Sequence, residues 1–231
     1  ALLMASLMVV GVAACSSSSE TAEGEQTTEE TAEGETTGMT GAISVISREE
    51  GSGTRGAFVE LMGVVDEEDN DITTVNAEIT NSTSVMLTTV AGNPASIGYV
   101  SLGSLSDEVK ALKVDGVEAT VDTVKSGDYK VARPFLLAYK DGSLSDVAQD
   151  FLNFILSDDG QAIIGEEGYI SVAEGNTYEA SGLSGKIVLA GSTSVAPVME
   201  VLADAYKALN PDVTIEIQQT GSGAGITSAT E

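Results

Sequence analysis

The stretch from Ser47 to Arg55, Ser-Arg-Glu-Glu-Gly-Ser-Gly-Thr-Arg, combines two arginines with glycines and small hydroxylated side chains. These residue types suit one task, holding a small oxyanion. A guanidinium can clamp a tetrahedral oxyanion with two parallel hydrogen bonds. The hydroxyls of Ser52 and Thr54 add donors. The chain has only three arginines, Arg48, Arg55 and Arg133, and two of them flank this loop. The plainer alternative is a strand-to-helix turn with a hydroxyl cap and surface arginines, because short Gly-rich loops are weak motifs. A P-loop is excluded: the Gly-x-x-x-x-Gly-Lys-Ser/Thr spacing is absent and no lysine follows.

An anion loop needs a strand to deliver it and a helix to leave it. Ala42–Ile46 is short and rich in β-branched residues, which predicts a strand. Gly56–Met62 has helical apolar spacing. Such a junction points free backbone N–H groups at one spot, and the helix dipole favours an anion there. The pattern recurs later in the chain. Lys186–Ala190 reads as a strand, Gly191–Ser194 as a second Gly/Ser/Thr loop, and Val195–Leu209 as a helix stopped by Pro211. The apolar face of that helix is Val198, Val201, Leu202, Ala205 and Leu209. Val213–Ile217 reads as another strand, leading to a third loop at Gly221–Gly225. Three such loops, one beside Arg48, suggest convergence on a single oxyanion. Alternating strands and helices imply open α/β sheets, whose ligands sit past the strand C-termini, where these loops fall.

The intervening segments carry less chemistry. Val65–Asp71 is an acidic connector whose spacing does not follow an EF-hand loop, so it reads as a solvated face rather than a metal site. Asn81–Ser84 gives a polar N-cap to a helix over Val85–Val90. Ile97–Val100 and Ala111–Val114 are expected as strands, and Ala119–Lys125 as a short helix ended by Gly127. Arg133–Tyr139 is expected as a buried strand opened by Pro134. Leu144–Leu156 is strongly amphipathic, with Val147, Ala148, Phe151, Leu152, Ile155 and Leu156 on its apolar side. Ser157–Asp159 caps a further helix through Ile164, Gly168–Val172 closes the unit, and Glu174–Gly185 is a polar link.

Composition narrows the function. The 231 residues suffice for one or two domains, and 42% hydrophobic content allows a sizeable core. A net charge of −26 argues against nucleic acid and anionic membrane surfaces as partners. A small anion is still compatible, because charges beyond about 8 Å are screened at physiological salt. With no histidine, Ser-His-Asp and Cys-His catalysis and histidine metal sites are excluded. The single cysteine, Cys15, follows the apolar run Ala1–Ala14, which has the length of a signal h-region and is too short to span a bilayer. This resembles a bacterial lipobox, in which Cys15 is lipidated. No initiator Met or basic n-region precedes the run, so the sequence is expected to begin within a leader. Residues 16–37 contain almost nothing that could be buried and read as an extended acidic tether.

Several motifs together resemble the phosphate-binding proteins of bacterial ABC importers. Ser47–Arg55, Ile97–Ser101, Val109–Val117, Arg133–Leu136 and Gly160–Ile170 are similar to the C-terminal portion of that family. Lys186–Pro197 and Gln219–Ile226 are similar to its N-terminal portion. The resemblance implies an α/β, type II periplasmic-binding-protein-like fold: two lobes with open mixed sheets flanked by helices, one lobe incomplete. It further implies that phosphate is held between the lobes, without metal or cofactor. The ligand residues it implies are Thr193, Ser194 and Ser222 on one side and Arg48, Ser52, Gly53 and Thr54 on the other. The family's portions appear here in swapped order, which fits either circular permutation or the joining of two copies. The family's middle segment, with an aspartate that accepts a proton from phosphate, is expected after Glu231.

The resulting division is a lipoprotein signal at 1–15, a linker at 16–40 and a partial second lobe at 41–131. The first lobe's C-terminal part follows at 132–173, then a link at 174–185 and the first lobe's N-terminal part, or the start of a second copy, at 186–231. Permutation predicts that Phe135–Val172 packs in the same lobe as the strand containing Val188. The expected function is a membrane-anchored, extracytoplasmic, monomeric protein that captures inorganic phosphate and passes it to ABC importer permease subunits. Alternatives are a binder of sulfate, molybdate or tungstate, a phosphate-ester-cleaving enzyme, or a non-transport surface lipoprotein.

Overall fold

A computed structural model describes residues 41–172 and 175–230. Cys15 and the linker 16–40 lie outside the described residues.

Ser44–Arg48 forms β1, the centre of a three-stranded sheet whose outer strands are β2 (Glu78–Thr80) and β3 (Ser96–Ile97). Both ladders are parallel, with Ile46 opposite Glu78, Arg48 opposite Thr80, and Ser44 opposite Ser96. A strand paired on both edges is sealed, and Ile46, Ser47 and Arg48 are all buried. Parallel strands need crossovers, and helices supply them. Helix α1 (Gly53–Met62) follows β1, and α2 (Thr83–Gly92) follows β2. The Ser52 side chain accepts from the Arg55 N–H to cap α1, and that of Ser82 accepts from the Val85 N–H to cap α2. A 3-10 turn at Leu102–Ser104 and the short helix α3 (Val121–Lys125), capped by Thr120, lead onward.

The second sheet pairs β4 (Gly185–Ala190) with β5 (Val213–Gln218) in parallel, from Gly185 opposite Val213 to Ala190 opposite Gln218. Around it lie α4 (Asp146–Ile155), α5 (Asp158–Glu166), α6 (Ala196–Leu209) and α7 (Ser222–Thr230). The buried residues of α4 are Val147, Phe151, Phe154 and Ile155, an i, i+4, i+7, i+8 stripe. They form one core with Tyr169, Ile187, Val198, Leu202, Ala203, Tyr206 and Val213. The segment 146–169 therefore shares its interior with the later β4–α6–β5 unit. Val201 and Leu209, expected on the apolar face of α6, are partly exposed, while Ala203 and Tyr206 are buried in their place.

One polar network ties the link into this core. Asp150 Oδ2 accepts from Tyr178, Tyr206 and Ser181 hydroxyls, each at 2.7 Å. Asn210 Nδ2 donates to the Tyr178 hydroxyl, and Asn210 Oδ1 accepts from the Gly182 N–H. Burial pushes the Asp150 carboxyl up, but the three donated hydrogen bonds outweigh it and hold the group below its ordinary value.

Several expected elements differ. Arg133–Tyr139 forms no strand, and Phe135 and Leu136 are 46% and 82% exposed rather than buried. Its β-favouring composition is local, whereas a strand needs a neighbour to pair with, and none lies beside it among the described residues. Ala111–Val114 likewise forms no strand, only a Val114–Val117 bridge. Ile97–Val100 shortens to the end of β3 at Ile97. The third Gly-rich loop is mostly helix: α7 begins at Ser222, despite the roughly 1 kcal/mol that each glycine costs a helix interior. There the Gly223 N–H donates to Gly51 O at 3.0 Å, so tertiary contact overrides local propensity.

Candidate functional site

The loops that leave β1, β4 and β5 meet at one place, joined first by backbone hydrogen bonds. The Gly221 N–H donates to Gly191 O at 2.8 Å, and the Gly223 N–H to Gly51 O at 3.0 Å. The side chains then interlock across the two sheets. Thr54 and Ser194 hydroxyls lie 2.6 Å apart. Arg48 Nη2 donates to Thr193 Oγ1 at 3.1 Å. Gly53 and Ser222 face each other so closely that a Cβ on Gly53 would collide with the Ser222 side chain. Glycine at 53 is thus required by close approach. Arg48, Ser52, Gly53, Thr54, Thr193, Ser194 and Ser222, drawn from three separate stretches of sequence, come together here.

Arg48 is the site's only buried cation among the described residues, at 2% exposure. Its Nε and Nη2 donate to Glu49 Oε2 and Oε1, both at 2.8 Å, a bidentate pair that offsets the cost of burying charge. Nη1 donates to Thr83 Oγ1 at 3.4 Å. The pairing with Glu49 occupies one edge of the guanidinium. It leaves the Nη1/Nη2 edge directed at the hydroxyls of Thr83 and Thr193. Arg55 turns away, donating to Asp71 Oδ2 and Arg48 O. Arg133 is exposed, though its Nη2 comes within 3.7 Å of a Cβ built on Gly53.

Sequence reasoning left out the residues that brace this arrangement. The Tyr99 hydroxyl bonds Ser47 Oγ at 2.8 Å and accepts from the Arg48 N–H at 3.1 Å. Its ring stacks on Phe58 with centroids 4.2 Å apart. Tyr169 donates to Ser194 O at 2.9 Å from the other side. Thr83 reaches Thr193 and Ser194 hydroxyls at 3.2 and 3.1 Å. Only Thr83 had a local signal, the polar run Asn81–Ser84. The tyrosines act across long sequence separations that no local pattern encodes.

Chemically, the cluster supplies a guanidinium edge, several hydroxyls and the N-terminal ends of α1, α6 and α7. All of these favour an oxyanion. Among the described residues, no group of three or more acidic, Cys or His side chains is arranged to hold a metal ion.

The family model described as PBP superfamily domain matches residues 22–159 and 176–231. The chain is 52% identical over 193 residues to the protein named phosphate-binding protein PstS 2 of Streptococcus agalactiae, covering 82% of this chain and 66% of that relative. It is 48% identical over 195 residues to the protein of the same name from Streptococcus pneumoniae, covering 83% of this chain and 67% of that one. The chain thus spans about two thirds of the length of these relatives. Among solved structures, a phosphate ABC transporter phosphate-binding protein from Streptococcus pneumoniae superimposes with a TM-score of 0.65 at 48% identity, covering 82% of this chain and 75% of that one. A structure from Clostridium perfringens with bound phosphate gives a TM-score of 0.52 at 45% identity, covering 56% of this chain and 52% of that one.

Proposed function

Because the chain belongs to the PBP superfamily, we propose that it is a substrate-binding protein that captures inorganic phosphate for an ABC importer. Its fold is the two-lobed, α/β, type II periplasmic-binding-protein-like architecture, with one lobe incomplete. Phosphate sits between the β1 loop and the loops after β4 and β5. Arg48, Ser52, Gly53 and Thr54 hold it from one side, and Thr193, Ser194 and Ser222 from the other. The observation that carries this reading is the buried Arg48, fixed by Glu49 and pointing its Nη1/Nη2 edge at the hydroxyls of Thr83 and Thr193. Each hydrogen bond to a charged ligand contributes roughly 1.5–3 kcal/mol. A handful therefore supports micromolar binding, about −8 kcal/mol, after ordering costs.

The same reading assigns the whole-protein roles. The protein binds without turnover, a reading supported by relatives named as phosphate-binding proteins. It works on the extracytoplasmic face of the membrane, lipid-anchored through Cys15 with 16–40 as a tether, and delivers phosphate to permease subunits. Residues 132–173 and 186–231 belong to one lobe and 41–131 to the other, a division supported by the core shared between α4, α5 and the β4–α6–β5 unit.

Titration calorimetry of the full-length protein tests the ligand. Phosphate is expected to bind with micromolar affinity or better, and sulfate at equal concentration to displace little of it at neutral pH. Tighter binding of sulfate or molybdate than of phosphate, or hydrolysis of a chromogenic phosphate ester, overturns the assignment.

A further inference from the structure

Thr83 is the first residue of α2, 5% exposed, and lies outside the set of ligand residues given above. A hydroxyl at the start of a helix is ordinarily used for capping. Here Ser82 does that work, its Oγ accepting from the Val85 N–H at 3.2 Å. The Thr83 hydroxyl instead meets Arg48 Nη1 at 3.4 Å, Thr193 Oγ1 at 3.2 Å and Ser194 Oγ at 3.1 Å. All three partners belong to the phosphate cradle, and they come from both sheets. The α2 helix that carries Thr83 is pinned. Met86, one turn along, is 1% exposed, and a Cβ on Gly98 would come within 2.5 Å of its Sδ.

We propose that Thr83 is a positioning residue for phosphate binding, which sets the plane of the Arg48 guanidinium and couples it to the Thr193–Ser194 loop. This rests on the phosphate reading of the site. Glu49 holds one edge of the guanidinium, through Nε and Nη2. Thr83 is the acceptor that engages the remaining nitrogen, Nη1. With both in place, the planar guanidinium cannot turn about the Cδ–Nε bond or swing along its flexible stem. Without the Thr83 hydroxyl, Nη1 loses its partner, and the edge that should face the anion is no longer fixed. Because Thr83 also bonds Thr193 and Ser194, the same hydroxyl aligns donors that arrive from the opposite side of the cleft.

The test uses the full-length protein with inorganic phosphate as the probe, read by titration calorimetry and by thermal unfolding with and without phosphate. Thr83→Val removes the hydroxyl at nearly constant shape, and Thr83→Ser keeps it. The expected result is about a tenfold loss of affinity for Thr83→Val, the scale of one hydrogen bond to a charged group. Thr83→Ser should stay within about threefold of the parent on the same scale. In an Arg48→Lys background, which has no fork to orient, Thr83→Val should cost clearly less than in the parent, leaving only the part that acts through Thr193 and Ser194, since residues acting through one another are not additive. Parental affinity for Thr83→Val, equal weakness of Thr83→Ser, or an undiminished loss in the Arg48→Lys background overturns the role of Thr83. Should the folded parent give no heat with phosphate, the phosphate reading falls and this inference falls with it. A parent that binds, with Arg48→Lys weakened and Thr83→Val silent, overturns Thr83 alone.

Discussion

In the proposed site, Arg48 divides its donors between structure and ligand. Nε and Nη2 hold Glu49, while the Nη1/Nη2 edge faces Thr83 and Thr193. Arg48→Ala is therefore expected to weaken phosphate binding at least a hundredfold, about 3 kcal/mol, by calorimetry. Arg133→Ala, which removes an exposed side chain, should cost less than about threefold; equal losses would contradict this division of roles. Gly53→Ala should weaken binding with little change in the unfolding midpoint of the free protein, because the new methyl meets Ser222 across the cleft and not the core. The loops were legible in sequence because Gly, Ser and Thr between a strand and a helix form a local pattern, whereas the individual ligand residues were implied only by the family resemblance. The braces were not: Tyr99 reaches Arg48 across 51 positions and Tyr169 reaches Ser194 across 25.

At the level of elements, the amphipathic helices carry most of the fold's information. The spacing of Val147, Phe151 and Ile155 marked α4, and the polar run at Ser157–Asp159 marked the start of α5. Leu202 on α6 is fully buried among these side chains, so Leu202→Ala is expected to destabilise by about 2–5 kcal/mol in urea unfolding. Strand prediction failed where pairing decides: Arg133–Tyr139 has the composition of a strand and no neighbour among the described residues. The Asp150 network adds a pH signature. Its carboxyl is held below the ordinary value, so its stabilising effect is present above about pH 4 and fades as pH falls through the folded value. Asp150→Asn should lower the urea midpoint at neutral pH, and the gap to the parent should close in acid. A gap independent of pH would assign the effect to packing instead of charge.

For the molecule as a whole, charge opposes the proposed ligand. A net charge of −26 repels an approaching anion, while the guanidinium and helix N-termini attract it only at short range. Added salt should screen the long-range repulsion more than the contacts, so the association rate for phosphate should rise between low and physiological salt in stopped-flow measurements. A rate that falls with salt would mean that the approach path is locally positive. The two parts of the split family match, 22–159 and 176–231, meet in one core, where Val147, Phe151, Phe154 and Ile155 of the first pack with Ile187, Leu202 and Tyr206 of the second. Local pattern does not encode this packing; the family resemblance implied it, through the expectation that Phe135–Val172 packs in the same lobe as the strand containing Val188.

The claim on which the rest depends is that phosphate lies between the β1 loop and the loop after β4. A crystal structure of the full-length protein grown with phosphate and without sulfate tests it directly. A tetrahedral ion is expected within hydrogen-bonding distance of the Arg48 Nη edge, the Thr54 hydroxyl and the Thr193–Ser194 loop. An ion bound elsewhere, with Arg48 still paired only to Glu49, Thr83 and Thr193, would contradict it.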